Sequence, residues 1–256
     1  MEVVITSDAA TLAADAIEAL VRRNAAAVLG LATGSSPLPA YRELVRRHRA
    51  GTGPSYGKVR CFLLDEYVGL PAGHPQTYRE TILRELTDAL GIDRDRVSSP
   101  DPSDLRRAGV RYEEAIRAAG GVDLQVLGIG GDGHLAFNEP GSSLGSSTRI
   151  KTLTERTRRD NARFFDSVEA VPRHVLTQGL GTILRARHLL LLAAGEAKAE
   201  AVAAAVEGPL SASCPASVLQ LHPHATVLLD EAAASGLERS AYYREIWSEK
   251  PDWQGL

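Results

Sequence analysis

The stretch LQVLGIGGDGHLAFNEP, Leu124 to Pro140, joins a short apolar run to a glycine-rich turn and then to a cluster of polar side chains. An apolar run of this length bounded by glycines reads as a buried strand. A strand that opens into a glycine turn marks the ligand-binding edge of an open parallel α/β sheet. Gly128, Gly130 and Gly133 also satisfy the dinucleotide-binding spacing G-x-G-x-x-G. That motif requires the turn to run straight into a long helix, whereas Asn138, Glu139, Pro140 and Gly141 interrupt any helix here within a few residues. Asp132 would moreover repel a pyrophosphate, so the dinucleotide reading fails. His134, with Asp132 and Glu139 on either side, reads instead as a proton-transfer unit, because a neighbouring carboxylate fixes an imidazole's tautomer and makes it a better base. A histidine hydrogen-bonded structurally in a loop is the alternative.

Working outward, four further apolar runs repeat the pattern: AAAVLGLA, VRCFLLD, LLLLAAG and ATVLLD. Between runs lie amphipathic stretches such as LPAYRELVRRHRA and TYRETILRELTDAL. This alternation predicts βαβ units and a Rossmann-like, open, mostly parallel sheet with helices on both faces, as a single domain over 1–256. The segment SSPDPSD, Ser98 to Asp104, is the best boundary candidate and reads as a loop ending in the N-cap of a helix through RRAGVRYEEAIRAAG.

The residues at the C-terminal end of each run carry more information than any single motif. The runs lead into TGSSP, DEY, GGDGH, GEAK and LLDE. Strand C-termini share one edge of a parallel sheet, so these residues should form one composite site. Thr33, Gly34, Ser35 and Ser36, followed by Pro37, would offer free backbone N–H groups to an anion, or else an ordinary N-cap by Ser35 or Ser36. Lys198 sits in the first turn of an Ala-rich helix, where the macrodipole disfavours a cation. A bound anion would offset that cost, and a solvated lysine is the alternative. Asp65, at the end of a hydrophobic strand, would be partly desolvated and so a stronger base. Capping of a helix or turn is its plain alternative. Glu66 would point to the opposite face if the strand continued.

The bulk numbers set limits. A net charge of -3 with Arg spread along 256 residues gives no nucleic-acid footprint, so an anionic ligand must be small and bound locally. Cys61 and Cys214 cannot build a zinc quartet and read as reduced thiols of a cytoplasmic protein. His222 and His224 lack a carboxylate or Cys cluster and read as structural, so neither metal nor cofactor is expected. MEVVITSDAA is no signal peptide, and no apolar run is long enough to span a bilayer.

LDEYVGL, GDGHLAFNEP, TRIKTLT, NARFFD and the AVEG after Lys198 occur in one order along the chain. In that order they resemble the glucosamine-6-phosphate deaminase (isomerase) family. GDGH alone is shared with 6-phosphogluconolactonases; Asp65-Glu66-Tyr67 and Phe137-Asn138-Glu139-Pro140 are more specific to deaminases. The resemblance implies conversion of glucosamine 6-phosphate to fructose 6-phosphate and ammonia, in amino-sugar catabolism. By motif, Asp65 would move a proton from C2 to C1. His134 would serve the ring oxygen, with Asp132 and Glu139 orienting and activating it. The Thr33–Ser36 loop, Arg163 and Lys198 would hold the phosphate. Ser35 stands where many members carry a glycine. Ser142, Arg149 and Lys151 match the positions that bind N-acetylglucosamine 6-phosphate at subunit contacts of allosteric hexamers, which implies a homo-oligomer, with a hexamer favoured; a solvated strand face is the alternative for Arg149 and Lys151. Rival readings are a lactonase on the same scaffold and a catalytically silent sugar-phosphate sensor.

Overall fold

The computed structural model describes residues 1–256, leaving aside the side chains of Arg156 and Asp252. The strands are β1 (Glu2–Ile5), β2 (Val28–Leu31), β3 (Arg60–Leu63), β4 (Asp65–Val68), β5 (Val97–Ser98), β6 (Leu124–Leu127), β7 (Arg149–Thr152), β8 (His174–Thr177), β9 (His188–Ala193) and β10 (Ala225–Leu229). The helices are α1 (Ala9–Arg23), α2 (Leu38–Arg49), α3 (Tyr78–Ile82), α4 (Ala108–Ala118), α5 (Glu155–Asn161), α6 (Leu180–Ile183), α7 (Ala199–Val206) and α8 (Ser240–Ser248).

Seven strands form one sheet in the order β1-β10-β9-β6-β2-β3-β5, with every pairing parallel. Alternate side chains divide between its two faces, as the two-residue period of a strand demands. Leu190 and Leu192 of β9 pack with Ile17 of α1 and Leu44 of α2, whereas Leu189 and Leu191 pack with Ile116 of α4 and Val202 of α7. Helices thus cover both faces, which explains why the strands are nearly continuous apolar runs. No helix among the described residues is long and apolar enough to cross a membrane.

A second sheet was not legible in the sequence. It has three antiparallel strands in the order β4-β8-β7. The run CFLLDEYV is therefore not one strand: the chain leaves the parallel sheet at Leu64 and enters the small sheet at Asp65. The departure point is pinned, because the carbonyl of Leu63 accepts from Tyr112 Oη at 2.7 Å and Gln178 Nε2 at 3.0 Å. The carbonyl of Leu64 accepts from the N–H of Gln178 at 2.7 Å. Asp65, Thr177 and Arg149 lie in one register row across the small sheet.

Two local expectations are corrected. Asp101, not Asp104, caps the Pro-containing turn by accepting from the N–H of Ser103, and α4 begins only at Ala108 without a side-chain cap. The stretch TYRETILRELTDAL starts helically, with Thr77 as N-cap, but widens into a π-helical turn over Leu83–Thr87. Such widened turns are frequent at functional sites, and Arg84 and Glu85 of this one reach a large cavity.

Candidate active site

The cavity, of about 1180 Å³, lies at the C-terminal edge of the parallel sheet and is lined by residues that follow β2, β3, β6 and β9. Thr33 to Pro37, Asp65, Asp132, His134, Glu139, Arg163 and Lys198 all border it. The strand ends thus converge, with one exception. Asp230 after β10 accepts from the N–H groups of Gly195 and Ala233, and Glu231 pairs with Arg244, so this strand end braces the neighbouring turn instead.

Asp65 is buried, and no described residue donates a hydrogen bond to its carboxylate. Burial, reinforced by the charge of Glu66, pushes the Asp65 carboxyl up to about 8. Its neighbour has the opposite fate. The Glu66 carboxylate accepts from the N–H groups of Tyr67, Tyr78 and Arg79 and so caps the start of α3. Capping, the plain alternative for Asp65, therefore falls to Glu66, because β4 turns the two side chains to opposite faces.

His134 Nδ1 stands 2.6 Å from Asp132 Oδ1, a short approach that is bent off the donor axis. Asp132 also accepts from the backbone N–H of His134 at 3.2 Å. The imidazole beside it holds the Asp132 carboxyl down at about 2. With Nδ1 turned to Asp132, Nε2 is the nitrogen left for chemistry. Glu139 does not share this contact: its carboxylate accepts from Thr157 Oγ1, and from Thr154 Oγ1 at 3.2 Å. The expected three-member unit is therefore a pair plus a separate carboxylate. The partners of Glu139 come from a distant segment, which sequence spacing could not reveal.

The ring of His134 lies directly over Gly130. A Cβ at that position would stand 2.2 Å from the ring's Cε1. The backbone of Gly130 is not in the left-handed region, so no such strain opposes Ala there, and the three atoms nearest the added Cβ all belong to the His134 ring. Gly130→Ala is therefore expected to displace the imidazole without unfolding the protein. The expected result is an unchanged melting temperature together with loss of the Asp132–His134 contact by NMR. Retention of that contact would show that the loop, not the ring, gives way.

In the β2–α2 loop, Gly34 takes positive φ (104°) whereas Ser35 does not. Ser35 at a site where many relatives carry glycine is thus conformationally unstrained. Neither serine caps α2; Pro37 occupies the N-cap position and makes no side-chain cap bond. The N–H groups of Gly34, Ser35 and Ser36 donate to no acceptor among the described residues, in a loop that borders the cavity. Opposite them, Lys198 is half-buried, and its ammonium is held below the usual lysine range by burial and then by the nearby Arg163 guanidinium. Two close cations in a partly dry site are poised for an anion.

An aromatic wall had no signal in the motifs. Tyr67 and Tyr78 stack at 4.7 Å, Phe165 meets Tyr67 edge-on at 5.6 Å, and Phe137 leans on both tyrosines. All four rings border the cavity with Asp65, and Tyr67, two residues on in β4, shares the face of that carboxyl.

Three expected residues lie elsewhere. Ser142 is buried, with an Oγ that finds no partner among the described residues. Arg149 and Lys151 share one face of β7 and are half-buried, alternating with exposed Ile150 and Thr152. None of the three borders the cavity. His222 is structural as expected, its ring nitrogens lying 2.7 Å from the carbonyl of His224 and 2.8 Å from that of Ala186.

A parallel α/β sheet carrying a cation-flanked donor loop, a buried carboxyl and an imidazole in one cavity defines a proton-transferring enzyme scaffold for a small anionic ligand. The chain belongs to the family described as glucosamine-6-phosphate isomerases/6-phosphogluconolactonase, whose profile matches residues 2–228. It is 62% identical to a glucosamine-6-phosphate deaminase of Arthrobacter sp. (strain FB24) and 60% identical to one of Rhodococcus jostii (strain RHA1), with 100% of each chain covered. Among solved structures, a monomeric glucosamine-6-phosphate deaminase superposes with TM-score 0.89 at 39% identity, covering 92% of this chain and 100% of that one. A 6-phosphogluconolactonase from Thermotoga maritima superposes with TM-score 0.69 at 20% identity, over 90% of this chain and 98% of that one, a likeness of fold alone.

Proposed function

We propose that this chain, acting as one domain, converts glucosamine 6-phosphate and water to fructose 6-phosphate and ammonia in amino-sugar catabolism. The observation that carries the reading is the joint presence, around one cavity, of the buried Asp65 carboxyl and the Asp132-held imidazole of His134. The family's full-length relatives named as deaminases support it.

The chemistry divides into two proton jobs. A closed aminosugar must first open: as the C1–O5 bond breaks, the O1 hydroxyl gives up its proton and the ring oxygen gains one, and Nε2 of His134 is the group that takes the first and delivers the second. Asp65 as carboxylate then takes the proton from C2 and returns it to C1. The nitrogen-bearing carbon becomes an imine, water adds there, and ammonia leaves. The phosphate, held by the loop amides of Gly34, Ser35 and Ser36 with Arg163 and Lys198, supplies binding energy that keeps the open chain against Asp65. The substrate's amino group brings positive charge beside Asp65 and favours its carboxylate form.

Because the base must be ionised, kcat/KM is expected to rise with pH up to about 8, where the free protein's Asp65 titrates, and to level above it. A profile flat from pH 6 to 9 would count against the assignment.

The direct test is incubation with glucosamine 6-phosphate and measurement of released ammonia. Hydrolysis of 6-phosphogluconolactone without ammonia release would favour the lactonase reading, and binding without turnover a sensor.

The finer reading is a cytoplasmic homohexamer with a second anion site for N-acetylglucosamine 6-phosphate. Two cations on one face of β7 support it, with burial holding the Arg149 guanidinium below its usual range. The two free cysteines fit a reducing compartment. A solution mass of one chain would remove the hexamer.

A further inference from the structure

Glu139 borders the cavity, yet its carboxylate is held from outside the His134 loop. Thr154 is the N-cap of α5, and its Oγ1 accepts from the backbone N–H of Thr157 at 3.2 Å. The two threonine hydroxyls stand 2.8 Å apart, and both approach the same oxygen, Glu139 Oε1. Each hydroxyl has a single proton to give. Both can donate to Glu139, or Thr154 can donate to Thr157 and Thr157 to Glu139; the third option, Thr157 donating to Thr154 and Thr154 to Glu139, would leave the closer pair of oxygens, those of Thr157 and Glu139, with no proton between them. Thr157 is therefore the direct donor.

The consequence reaches beyond one hydrogen bond. The segment led by α5 continues into the turn Ala162–Phe164, and Asp160, Asn161, Arg163 and Phe164 from this stretch all border the cavity. The Thr154–Thr157 pair thus fastens a carboxylate of the His134 loop to the element that carries the phosphate-facing arginine. A glutamate has three rotatable side-chain bonds, and without such a donor its carboxylate would have no fixed station relative to the imidazole.

We infer that Thr157, supported by Thr154, is a positioning residue that sets where the Glu139 carboxylate stands relative to His134 and couples that carboxylate to α5. This rests on the deaminase reading for its kinetic readout, although not for its structural one.

Thr157→Val is the clean test, since the backbone N–H of residue 157 survives and α5 keeps its N-cap. With glucosamine 6-phosphate, Thr157→Val is expected to lower kcat by about ten- to a hundredfold, the range for losing one hydrogen bond to a charged group. KM, and affinity for the reduced open-chain aminoalditol phosphate, should change less than about threefold, since the lost donor acts through Glu139 and not on the ligand. Thr157→Ser should restore kcat. Thr154→Val, which also loses the cap, should lower the melting temperature as well as kcat. The ring nitrogens of His134, observed by NMR without substrate, should shift in Thr157→Val and return in Thr157→Ser.

An unchanged kcat in Thr157→Val, a loss confined to KM, or a serine variant that fails to rescue would overturn the inference. If the unmodified protein releases no ammonia, the deaminase reading fails by itself. The His134 nitrogen shifts then decide the positioning role, and identical spectra in all the proteins overturn it.

Discussion

Asp65→Asn is expected to abolish exchange of the sugar's C2 proton with solvent and to cut turnover by about 10²- to 10⁴-fold, the usual contribution of a positioned general base. Binding of the open-chain aminoalditol phosphate should be largely intact, because the residues proposed to hold the phosphate lie on other elements. Asparagine fills nearly the same space, so the loss would not reflect repacking. The same variant makes an independent prediction about stability. The folded protein holds the Asp65 proton up to about 8, whereas the unfolded chain releases it near 3.8. Between those values the folded state binds more protons, so the contribution of Asp65 to stability is fully present below 3.8 and is lost as pH rises through about 8. Asparagine does not titrate. The melting temperature of Asp65→Asn should therefore gain on the unmodified protein from pH 5 to 8 and hold its lead above that. Normal turnover, or a lead that shrinks with rising pH, contradicts the assignment.

His134→Gln is the second large effect. Glutamine can still reach Asp132 with its amide but cannot cycle a proton at neutral pH. Turnover of the ring-closed sugar should fall by about 10²- to 10⁴-fold, while an open-chain analogue that bypasses ring opening should be slowed far less. Comparing kcat for the two substrates isolates the step. Equal slowing of both would place the imidazole's work after ring opening or in binding.

The parts of this site that could be read from sequence are those carried by local pattern. Strand ends are visible because apolar runs stop at glycine or acid, and a parallel sheet gathers such ends on one edge; hence Asp65, His134 and Lys198 meet. The parts that could not be read depend on segments returning from far along the chain. Glu66 becomes a helix cap only because α3 folds back twelve residues later. Glu139 finds its donor in Thr157, eighteen residues on. The small antiparallel sheet is hidden because β7 alternates half-buried and exposed residues and lacks the continuous apolar run that reveals a buried strand. The same silence hides the break at Leu64, so that Asp65 reads as a last residue when it is a first one. The fifth strand end misleads for the opposite reason: LLDE has the right local pattern, but Asp230 spends its oxygens on backbone N–H groups.

Pairing fidelity at that break is a chemical matter. A slip of a single position in β4 would exchange the two acids, turning Glu66 into the cavity and burying Asp65 against α3. The guards against it are the phenol of Tyr112 and the amide of Gln178, both seizing the carbonyl of Leu63 just upstream. Neither borders the cavity. Damage to these two clamps would thus be felt as a misplaced base in a protein whose reacting groups are all still present.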